Sequence, residues 1–206
     1  MIRRLLARLL PRKKSGARDP RIYGPRDHPI RRQQLGRGAI EVTRKLHEAG
    51  FKAFVVGGAV RDLLLGIEPK DFDIATDARP EQVKPLFRRA FVIGRRFRLV
   101  HVHIGPETIE VSTFRAAQTG DDATDEHGRL LSDNVYGSQA EDAARRDFTI
   151  NALYFDPATE QVWDYVGGVA DIRARQLKLI GVPVTRLRED PVRMLRAVRL
   201  AAKLGV

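Results

Sequence analysis

Two glycines ahead of a helix, and two aspartates with one residue between them, carry the clearest chemistry in the sequence. Gly57 and Gly58 follow an apolar stretch, and Arg61 stands one turn into the segment after them. Glycines at a helix start let backbone N–H groups approach phosphates, and an arginine adds a bidentate donor. On a strand, Asp71 and Asp73 would point to one side, roughly 6–7 Å apart along the chain. The pattern predicts a phosphate site beside two metal-binding carboxylates.

Oxygen ligands that leave room for water and phosphate suit Mg²⁺, and two such ions can activate an attacking hydroxyl and stabilise a leaving pyrophosphate. Other phosphate and metal motifs do not fit. A P-loop would end in Gly-Lys-Ser/Thr and a dinucleotide site would show G-x-G-x-x-G spacing, and this region has neither. An EF-hand is excluded because Ala75 stands at the next ligand position. The alternative left open is a surface turn with two solvated aspartates.

Two further carboxylates are candidates for the same site. Glu110 lies between two apolar residues, a pattern typical of an inward-facing third ligand, although a charge on an edge strand would look the same. Asp147 directly follows Arg145 and Arg146, so an additional active-site acid and a plain ion pair are both open.

The final helix carries a carboxylate and a row of arginines. Asp190 and Arg193 are one turn apart, and Arg193, Arg196 and Arg199 follow one slowly drifting stripe. A carboxylate that accepts beside a guanidinium that donates matches the edge of adenine, and it matches the edge of cytosine equally well. Selection of adenine over cytosine therefore needs more than these residues. The alternative interpretation of the helix is that its arginines are simply solvated and bind no nucleotide.

A sheet and several helices are needed to bring these residues together. The apolar positions Leu35, Ala39, Val42, Leu46 and Ala49 predict a first helix that ends at Gly50. The following segments alternate between strand and helix patterns, which predicts an α/β or α+β sheet domain. The expected strands cover 51–56, 72–75, 99–104 and 108–114, and the expected helices cover 59–65, 80–89 and 138–146.

The rest of the chain reads as a long loop followed by increasingly helical sequence. Residues 115–137 are polar and predict a surface loop, and 150–155 form an apolar stretch. The last helix is expected to begin with Asp190 as N-cap and Pro191 at N1. Its apolar stripe needs a partner surface and consists of Val192, Leu195, Val198 and Ala202.

The positive charge of the chain is concentrated at its two ends. The 206 residues carry a formal net charge of +11, which suggests a nucleic-acid partner. Residues 1–34 hold 11 basic and 2 acidic side chains, residues 35–172 hold 17 and 22, and residues 173–206 hold 9 and 2. The absence of cysteine excludes disulfides and thiolate metal sites and fits a cytoplasmic location. No apolar run reaches the roughly 20 residues of a membrane span, so we expect no integral membrane contact.

Five segments in order resemble the class II template-independent nucleotidyltransferases, the bacterial poly(A) polymerases and CCA-adding tRNA nucleotidyltransferases. The resemblance extends over about residues 35–206. It is closer to the bacterial poly(A) polymerases in the segments 94–102 and 130–134, in Pro191 and in the basic N-terminal arm. The five segments are Gly57-Gly-Ala-Val-Arg-Asp-Leu-Leu-Leu-Gly66, Lys70-Asp-Phe-Asp-Ile-Ala-Thr76, Ile109-Glu-Val-Ser-Thr-Phe114, Arg145-Arg-Asp-Phe-Thr-Ile-Asn151 and Arg188-Glu-Asp-Pro-Val-Arg-Met-Leu-Arg-Ala-Val-Arg199.

The resemblance implies a polymerase-β-like head of mixed α/β type over 35–172 and the start of a helical neck over 173–206. From their own prolines and glycines, residues 1–34 are expected to be a flexible basic arm, which holds RNA phosphates, has no function or is an Arg-rich transit peptide. The body and tail domains of the family would be absent from this chain. Asp71 and Asp73 would be Mg²⁺ ligands and Asp147 a further active-site acid. The nucleotide would meet Gly58, Arg61, Arg146, Asp190, Arg193, Arg196 and Arg199.

The implied reaction is the addition of AMP from ATP to RNA 3′ ends with release of pyrophosphate, with two Mg²⁺ ions. Two alternatives stay open from the sequence. CCA addition to tRNA shares every catalytic residue named above. An RNA-binding fragment without catalysis is the second alternative, because the family's body and tail domains contact RNA.

Overall fold

The computed structural model describes residues 19–94, 98–116 and 135–205, and within them the chain forms one mixed sheet flanked by helices. The strand order is β1-β8-β7-β2-β3-β6-β5-β4. The strands are β1 (Arg21–Tyr23), β2 (Ala53–Val56), β3 (Asp73–Thr76), β4 (Ala90–Ile93), β5 (Leu99–Ile104), β6 (Glu107–Thr113), β7 (Leu153–Asp156) and β8 (Gln161–Asp164). The helices are α1 (Arg37–Glu48), α2 (Gly58–Leu64), α3 (Pro80–Val83), α4 (Gln139–Arg145), α5 (Gly168–Arg173), α6 (Pro183–Glu189) and α7 (Val192–Leu204).

One row of side chains crosses all eight strands on a single face of the sheet. Neighbouring strands pair antiparallel except β3 and β6, which run parallel. Residues directly opposite each other on paired strands share a face. The row runs Ile22, Trp163, Tyr154, Val56, Asp73, Glu110, His101 and Phe91. Asp73 therefore stands in the middle of the sheet, with an apolar half-row on one side and Glu110, His101 and Phe91 on the other.

The opposite face of the sheet holds the main core. Helix α1 packs there with Val42 and Leu46, both fully buried, against strand residues such as Val55 and Ile74. A smaller aromatic cluster covers the β2–β7 part of the first face and contains Phe54, Phe114 and Tyr154. Burial of these side chains supplies most of the stabilisation of the domain, at roughly 1.5–3 kcal/mol for each large apolar group.

The predicted elements agree with the structure where apolar periodicity and capping residues coincide. Helix α1 ends beside Gly50, whose φ of 85° is a left-handed conformation that favours glycine. Helix α4 begins with the predicted capping box, in which the Ser138 hydroxyl accepts from the backbone N–H of Glu141. The polar loop predicted over 115–137 lies largely outside the described residues.

Two predictions about elements were wrong. The helix expected over 80–89 stops at Val83 and continues only as one 3₁₀ turn, because Pro85 offers no N–H to extend the α-helical pattern. The residues after the 3₁₀ turn form strand β4, which was not predicted. Strand β8 was also missed, because the stretch after the turn at 156–157 was read as helical.

Part of the segment predicted to be a flexible N-terminal arm packs against the sheet. Residues 19–34 were assigned to a flexible arm, but Tyr23 is buried on strand β1 and Ile30 is fully buried in the core. The His28 ring links this segment to the sheet, since its Nε2 lies 3.0 Å from the carbonyl oxygen of Glu160. Prolines and glycines exclude a long helix here, but they permit an extended segment that packs on an edge strand. The first 18 residues lie outside the described part.

Helix α7 has one buried side and one exposed apolar side. Leu200 packs into the main core, whereas Leu195 and Val198 are about 70% exposed, at 73% and 70%. The unpaired stripe predicted from the sequence is thus present on the helix. Among the described residues, no helix combines the length and apolar character required to cross a bilayer.

A buried carboxylate at the end of β8 organises the turn into α5. Asp164 Oδ1 accepts from the backbone N–H groups of Val166, Gly167 and Gly168, and Oδ2 accepts from Val169. The four bonds satisfy the N–H groups that a helix start leaves without partners. This single side chain therefore fixes where α5 begins.

Asp164→Ala should lower the free energy of unfolding by about 2–4 kcal/mol, because four backbone donors lose a charged acceptor in a buried place. Urea denaturation followed by circular dichroism measures the change. Asp156→Ala is the matched control, since Asp156 accepts from Ala158 N–H and from the Thr159 hydroxyl at an exposed turn. A loss at Asp164 no larger than that of the control would contradict the capping role.

Candidate active site

An open cleft of about 940 Å³ lies where the start of α2, the start of β3 and the α6–α7 pair meet. All of the predicted site residues except Glu110 line it. The lining residues are Gly57, Gly58, Ala59, Arg61, Asp62, Lys70, Asp71, Asp73, Arg115, Arg145, Arg146, Asp147, Asn151, Arg186, Glu189, Asp190, Arg193, Arg196, Arg199, Leu200 and Lys203.

The turn from β2 into α2 depends on glycine. Gly57 has a φ of 70°, which L side chains rarely adopt, and its N–H donates to the carbonyl of Leu153 at 3.2 Å. A Cβ at Gly58 would lie 3.5 Å from the Arg61 guanidinium. Because Gly57 and Gly58 have no side chains, the backbone of this turn is exposed directly to the cleft.

The two aspartates line the cleft beside the strand that leads into the glycine turn. Asp73 is the first residue of β3, and Asp71 is exposed two residues before it. Burial and then the neighbouring Glu110 raise the pKa of Asp73 to about 6, and Asp71 adds to the increase while Arg146 opposes it. Carboxylates gathered this closely disfavour one another's negative charge, and a bound cation would relieve that repulsion.

The donor set fits Mg²⁺ held jointly by protein and substrate. Over the residues that the structure describes, no group of three or more His, Cys, Asp or Glu side chains is arranged to hold a metal alone. Mg²⁺ is commonly bound by one or two carboxylates, with water and substrate phosphates in the other positions. Asp71 and Asp73 beside an open cleft match that pattern better than they match a closed all-protein metal cage.

Glu110 stands next to Asp73 on the same face of the sheet, but it does not line the cleft. It is opposite Asp73 in the β3–β6 register, and its Oε1 lies 3.3 Å from the His101 Nε2. Glu110 is exposed. Its role as a third carboxylate stays a prediction, with the geometry placing it at the open edge of the site.

Arg61 is held by protein partners rather than projecting freely. The side chain is buried, its Nε and Nη2 donate to Asp62 Oδ1, and its Nη1 donates to the Asn151 side-chain oxygen at 2.6 Å. A guanidinium has five N–H groups, so these bonds leave one hydrogen on each terminal nitrogen for a ligand. The guanidinium of Arg61 is therefore fixed in place, and a nucleotide phosphate would have to approach its two remaining N–H groups.

Arg146 belongs to a buried polar network that sequence analysis did not identify. Its guanidinium donates to Asp142 Oδ2 and to the Tyr154 oxygen, and the Tyr154 hydroxyl donates to Asp142 at 2.7 Å. Burial alone would raise the pKa of Asp142, but the charges of Arg146 and Arg145 outweigh it and lower that pKa. The helical spacing of Asp142 to Arg145 and Arg146 was the signal that would have located it.

Asp147 connects the head to the last helix. Its Oδ1 accepts from the backbone N–H of Phe148 at 2.7 Å and from the Asn151 amide, and its Oδ2 lies 2.8 Å from Arg196 Nε on α7. Asp147 thus forms an ion pair with an arginine that is distant in sequence. Asp62 makes a second such link, because Lys203 Nζ donates to its Oδ2 at 2.8 Å.

The start of α7 differs from the prediction by one residue. Pro191 is the N-cap and Asp190 closes α6, where its N–H donates to the Arg186 carbonyl, while its Oδ1 accepts from Val192 N–H. The extended backbone of Asp190, with φ of −150°, separates the two helices. The expectation of Asp190 as N-cap was therefore wrong, although its side chain still bonds to the first turn.

Arg193 is buried and bound from the side of α6. Its Nη1 donates to the Arg186 carbonyl at 2.6 Å and to Glu189 at 3.1 Å. Arg186 in turn donates to Glu189 and to the carbonyl groups of Arg145 and Arg146. Sequence analysis missed Arg186 and Glu189, whose i,i+3 spacing on one helix was the available signal.

Comparison with known proteins gives a consistent result. The family described as the poly(A) polymerase head domain matches residues 53–178. Poly(A) polymerase I of Escherichia coli O6:H1 is 56% identical over 189 residues, which is 88% of this chain and 41% of that protein. The CCA-adding enzyme of Bacillus pumilus is 41% identical over 167 residues, which is 81% of this chain and 40% of that protein.

A solved structure shows the same fold. The crystal structure of the Bacillus stearothermophilus CCA-adding enzyme in complex with CTP superposes with a TM-score of 0.70 at 38% identity, over 81% of this chain and 39% of that one. The chain thus spans about two fifths of the length of the relatives it matches. On the evidence of fold, motif order and identity, the chain belongs to the poly(A) polymerase head-domain family of class II template-independent nucleotidyltransferases.

Proposed function

We propose that this chain transfers AMP from ATP to the 3′ end of RNA and releases pyrophosphate. The observation that carries the proposal is the cleft whose lining combines Asp71 and Asp73 with the Gly57–Gly58 turn and with the arginines of α6 and α7. Identity of 56% to a poly(A) polymerase I supports AMP as the nucleotide. In the reaction the RNA 3′ oxygen bonds to the α-phosphorus of ATP, the bond to pyrophosphate breaks, and the hydroxyl proton passes to solvent water.

Each wall of the cleft has a distinct task. The glycine turn lets the triphosphate approach the backbone, and Arg61 donates to it with the two hydrogens that its protein partners leave free. Mg²⁺ bound by Asp71 and Asp73 would activate the hydroxyl and stabilise the developing charge on pyrophosphate. Asp147 holds Arg196, so that α7 keeps its arginines directed at the bound nucleotide.

The base would be read by Asp190 and Arg193. The contacts of Arg193 with Glu189 and with the Arg186 carbonyl immobilise its guanidinium before ligand arrives, which reduces the entropy lost on binding. Arg199 lies one turn beyond Arg196 on the same cleft wall and supplies further positive charge for the triphosphate. Because Arg193 is held by these buried contacts, its guanidinium keeps one position relative to the bound base.

CCA addition to tRNA is the second candidate. The fold neighbour with bound CTP and the 41% identity to a CCA-adding enzyme favour it, and the Asp190–Arg193 pair matches cytosine as well as adenine. An RNA-binding piece without catalysis is a third candidate, since the relatives are more than twice as long. We place the boundary between the head and the neck after Ile180, because Ile180 still donates its N–H to the Asp147 carbonyl of the head.

An RNA-processing enzyme of this kind would act in the cytoplasm.

Asp71→Asn should reduce AMP incorporation by about 1,000-fold or more, because the variant loses the charge of one metal-binding carboxylate. Incorporation of labelled ATP into oligoadenylate with Mg²⁺ present measures the effect. Asp77→Asn, at the other end of β3, is the control and should retain activity within about threefold, since Asp77 accepts from Lys52 N–H outside the cleft. Activity in the Asp71 variant similar to that of the control would refute the metal assignment.

The choice between the two nucleotidyltransferase reactions needs each NTP offered alone and in mixture. We expect ATP alone to extend oligoadenylate with a run of AMP, and CTP to be used poorly. Gel analysis of products on oligoadenylate and on a tRNA lacking its CCA end distinguishes the cases. Ordered addition of C, C and A to the tRNA would transfer the proposal to CCA addition.

Asp73→Asn should stabilise the metal-free protein at pH 7 while it abolishes activity. The pKa of Asp73 is raised from 3.8 in the unfolded chain to about 6 in the fold. Ionisation of Asp73 therefore lowers the free energy of unfolding as the pH rises from about 4 to 6, and the full loss is present above pH 6. Since the side chain is partly exposed, the gain should be about 1 kcal/mol and should vanish near pH 4. Thermal unfolding of the parent and of Asp73→Asn in EDTA at pH 7 and pH 4 measures the gain. A lower unfolding temperature for the variant at pH 7 would contradict the proposed repulsion among the carboxylates.

A further inference from the structure

The nucleotide cleft lies mainly on one side of Asp73. Apart from residues 70–73 and Arg115, which follows β6, its walls come from the α2 start next to β2, from residues 145–151 before β7 and from the α6–α7 pair. Strands β6, β5 and β4 extend from the other side of β3. On the face shared with Asp73, their side chains include His101 and Phe91, which are part-exposed and exposed. The sheet therefore continues past the site as an accessible surface.

The geometry of phosphoryl transfer requires both sides of Asp73. The attacking and leaving oxygens lie roughly in line with the transferred phosphorus between them. If the Gly57–Gly58 turn holds the triphosphate, as proposed above, the RNA hydroxyl must approach from the opposite side. That side is the edge occupied by Glu110 and the strands beyond it.

The cross-sheet row marks the direct path from the reacting centre to the edge of the sheet. Asp73, Glu110, His101 and Phe91 are successive partners on β3, β6, β5 and β4. With strands about 4.8 Å apart, Phe91 stands roughly 14 Å from Asp73 along the row. A strand of RNA whose 3′ end is at Asp73 would pass a base over Phe91 within its last few nucleotides.

The far end of the row has the chemistry of a single-stranded nucleic-acid surface. The Phe91 side chain is 54% exposed on an edge strand, and the His103 ring stands edge-on to it with centroids 5.6 Å apart. Arg89 lies opposite His103, whose N–H donates to the Arg89 carbonyl, and both Arg88 and Arg89 are exposed. Aromatic rings that stack with bases, next to cations that attract phosphates, characterise such surfaces.

We propose that the β4–β5 surface, defined by Phe91, His103 and Arg89, binds the single-stranded RNA just upstream of its 3′ end. A base stacks on the exposed face of Phe91, and Arg89 attracts the adjoining phosphates. The inference rests on the proposed function for the direction of the strand, but the binding surface is defined by its own residues. It gives the chain a contact with RNA outside the nucleotide cleft.

Phe91→Ala in the 206-residue protein tests the surface. The Kd for fluorescently labelled oligoadenylate, measured by anisotropy without ATP, should rise roughly 5- to 100-fold, the loss typical of one stacked base. Phe91→Trp should bind like the parent. Ile22→Ala is the matched control, because Ile22 is 46% exposed at the opposite end of the same row and should leave the Kd within about twofold.

The length of the RNA provides a second readout. A dinucleotide primer ends before Phe91, so its KM should not change in Phe91→Ala, whereas the KM for a longer oligoadenylate should rise and the KM for ATP should not. Equal effects on both primers, equal loss in Ile22→Ala, or no oligoadenylate binding by the parent would overturn the proposal. A change of oligomeric state instead of RNA affinity would mark the surface as a protein contact and would also overturn it.

The two proposals fail separately. If Phe91→Ala weakens oligoadenylate binding and the parent incorporates no AMP, the RNA surface stands and the proposed reaction does not. If the parent incorporates AMP and Phe91→Ala leaves both Kd and KM for long RNA unchanged, the reaction stands and the surface does not.

Discussion

The register of the central strands is the constraint on which the site depends. Asp73 lies between Val56 and Glu110 because β2 pairs antiparallel and β6 pairs parallel with β3. The side-chain period of a strand is two residues, so a slip of one residue would turn Asp73 into the core and bring Ile74 to the site. The apolar residues of β3 and β6 therefore select the position of the carboxylates, since only one register buries them.

Charge at the cleft is arranged in pairs before any ligand binds. Arg146 is matched by Asp142 and Tyr154, Arg61 by Asp62, and Arg193 by Glu189. Removing a charge from water costs far more than a single ion pair returns unless hydrogen bonds complete the arrangement, which these networks supply. The arginines thus serve two purposes, because the same groups that make the cleft positive also hold helices α4, α6 and α7 against one another.

The sequence was sufficient for motifs that are local and insufficient for contacts between distant segments. The Gly57–Gly58 turn and the Ser138 capping box depend on neighbouring residues, and each has the predicted local form, whereas only Asp73 of the Asp71–Asp73 pair lies on the strand. The contact of Asp147 with Arg196 and that of Asp62 with Lys203 join segments 49 or more positions apart, so no spacing rule reveals them. Strands β4 and β8 were missed for a related reason: both are short, and their conformation comes from pairing with neighbours.

The long separation between paired strands has a consequence for how the protein acquires its chemistry. Strand β2 needs β7 as a neighbour, and Val56 meets Tyr154 only after almost a hundred intervening residues have been made. Contacts this distant in sequence are formed late and slow folding. While the chain is still leaving the ribosome, the two aspartates exist without the arginine network that completes the cleft. The cleft is therefore complete only after the protein has been translated through α7, so the proposed site cannot assemble on a shorter nascent chain.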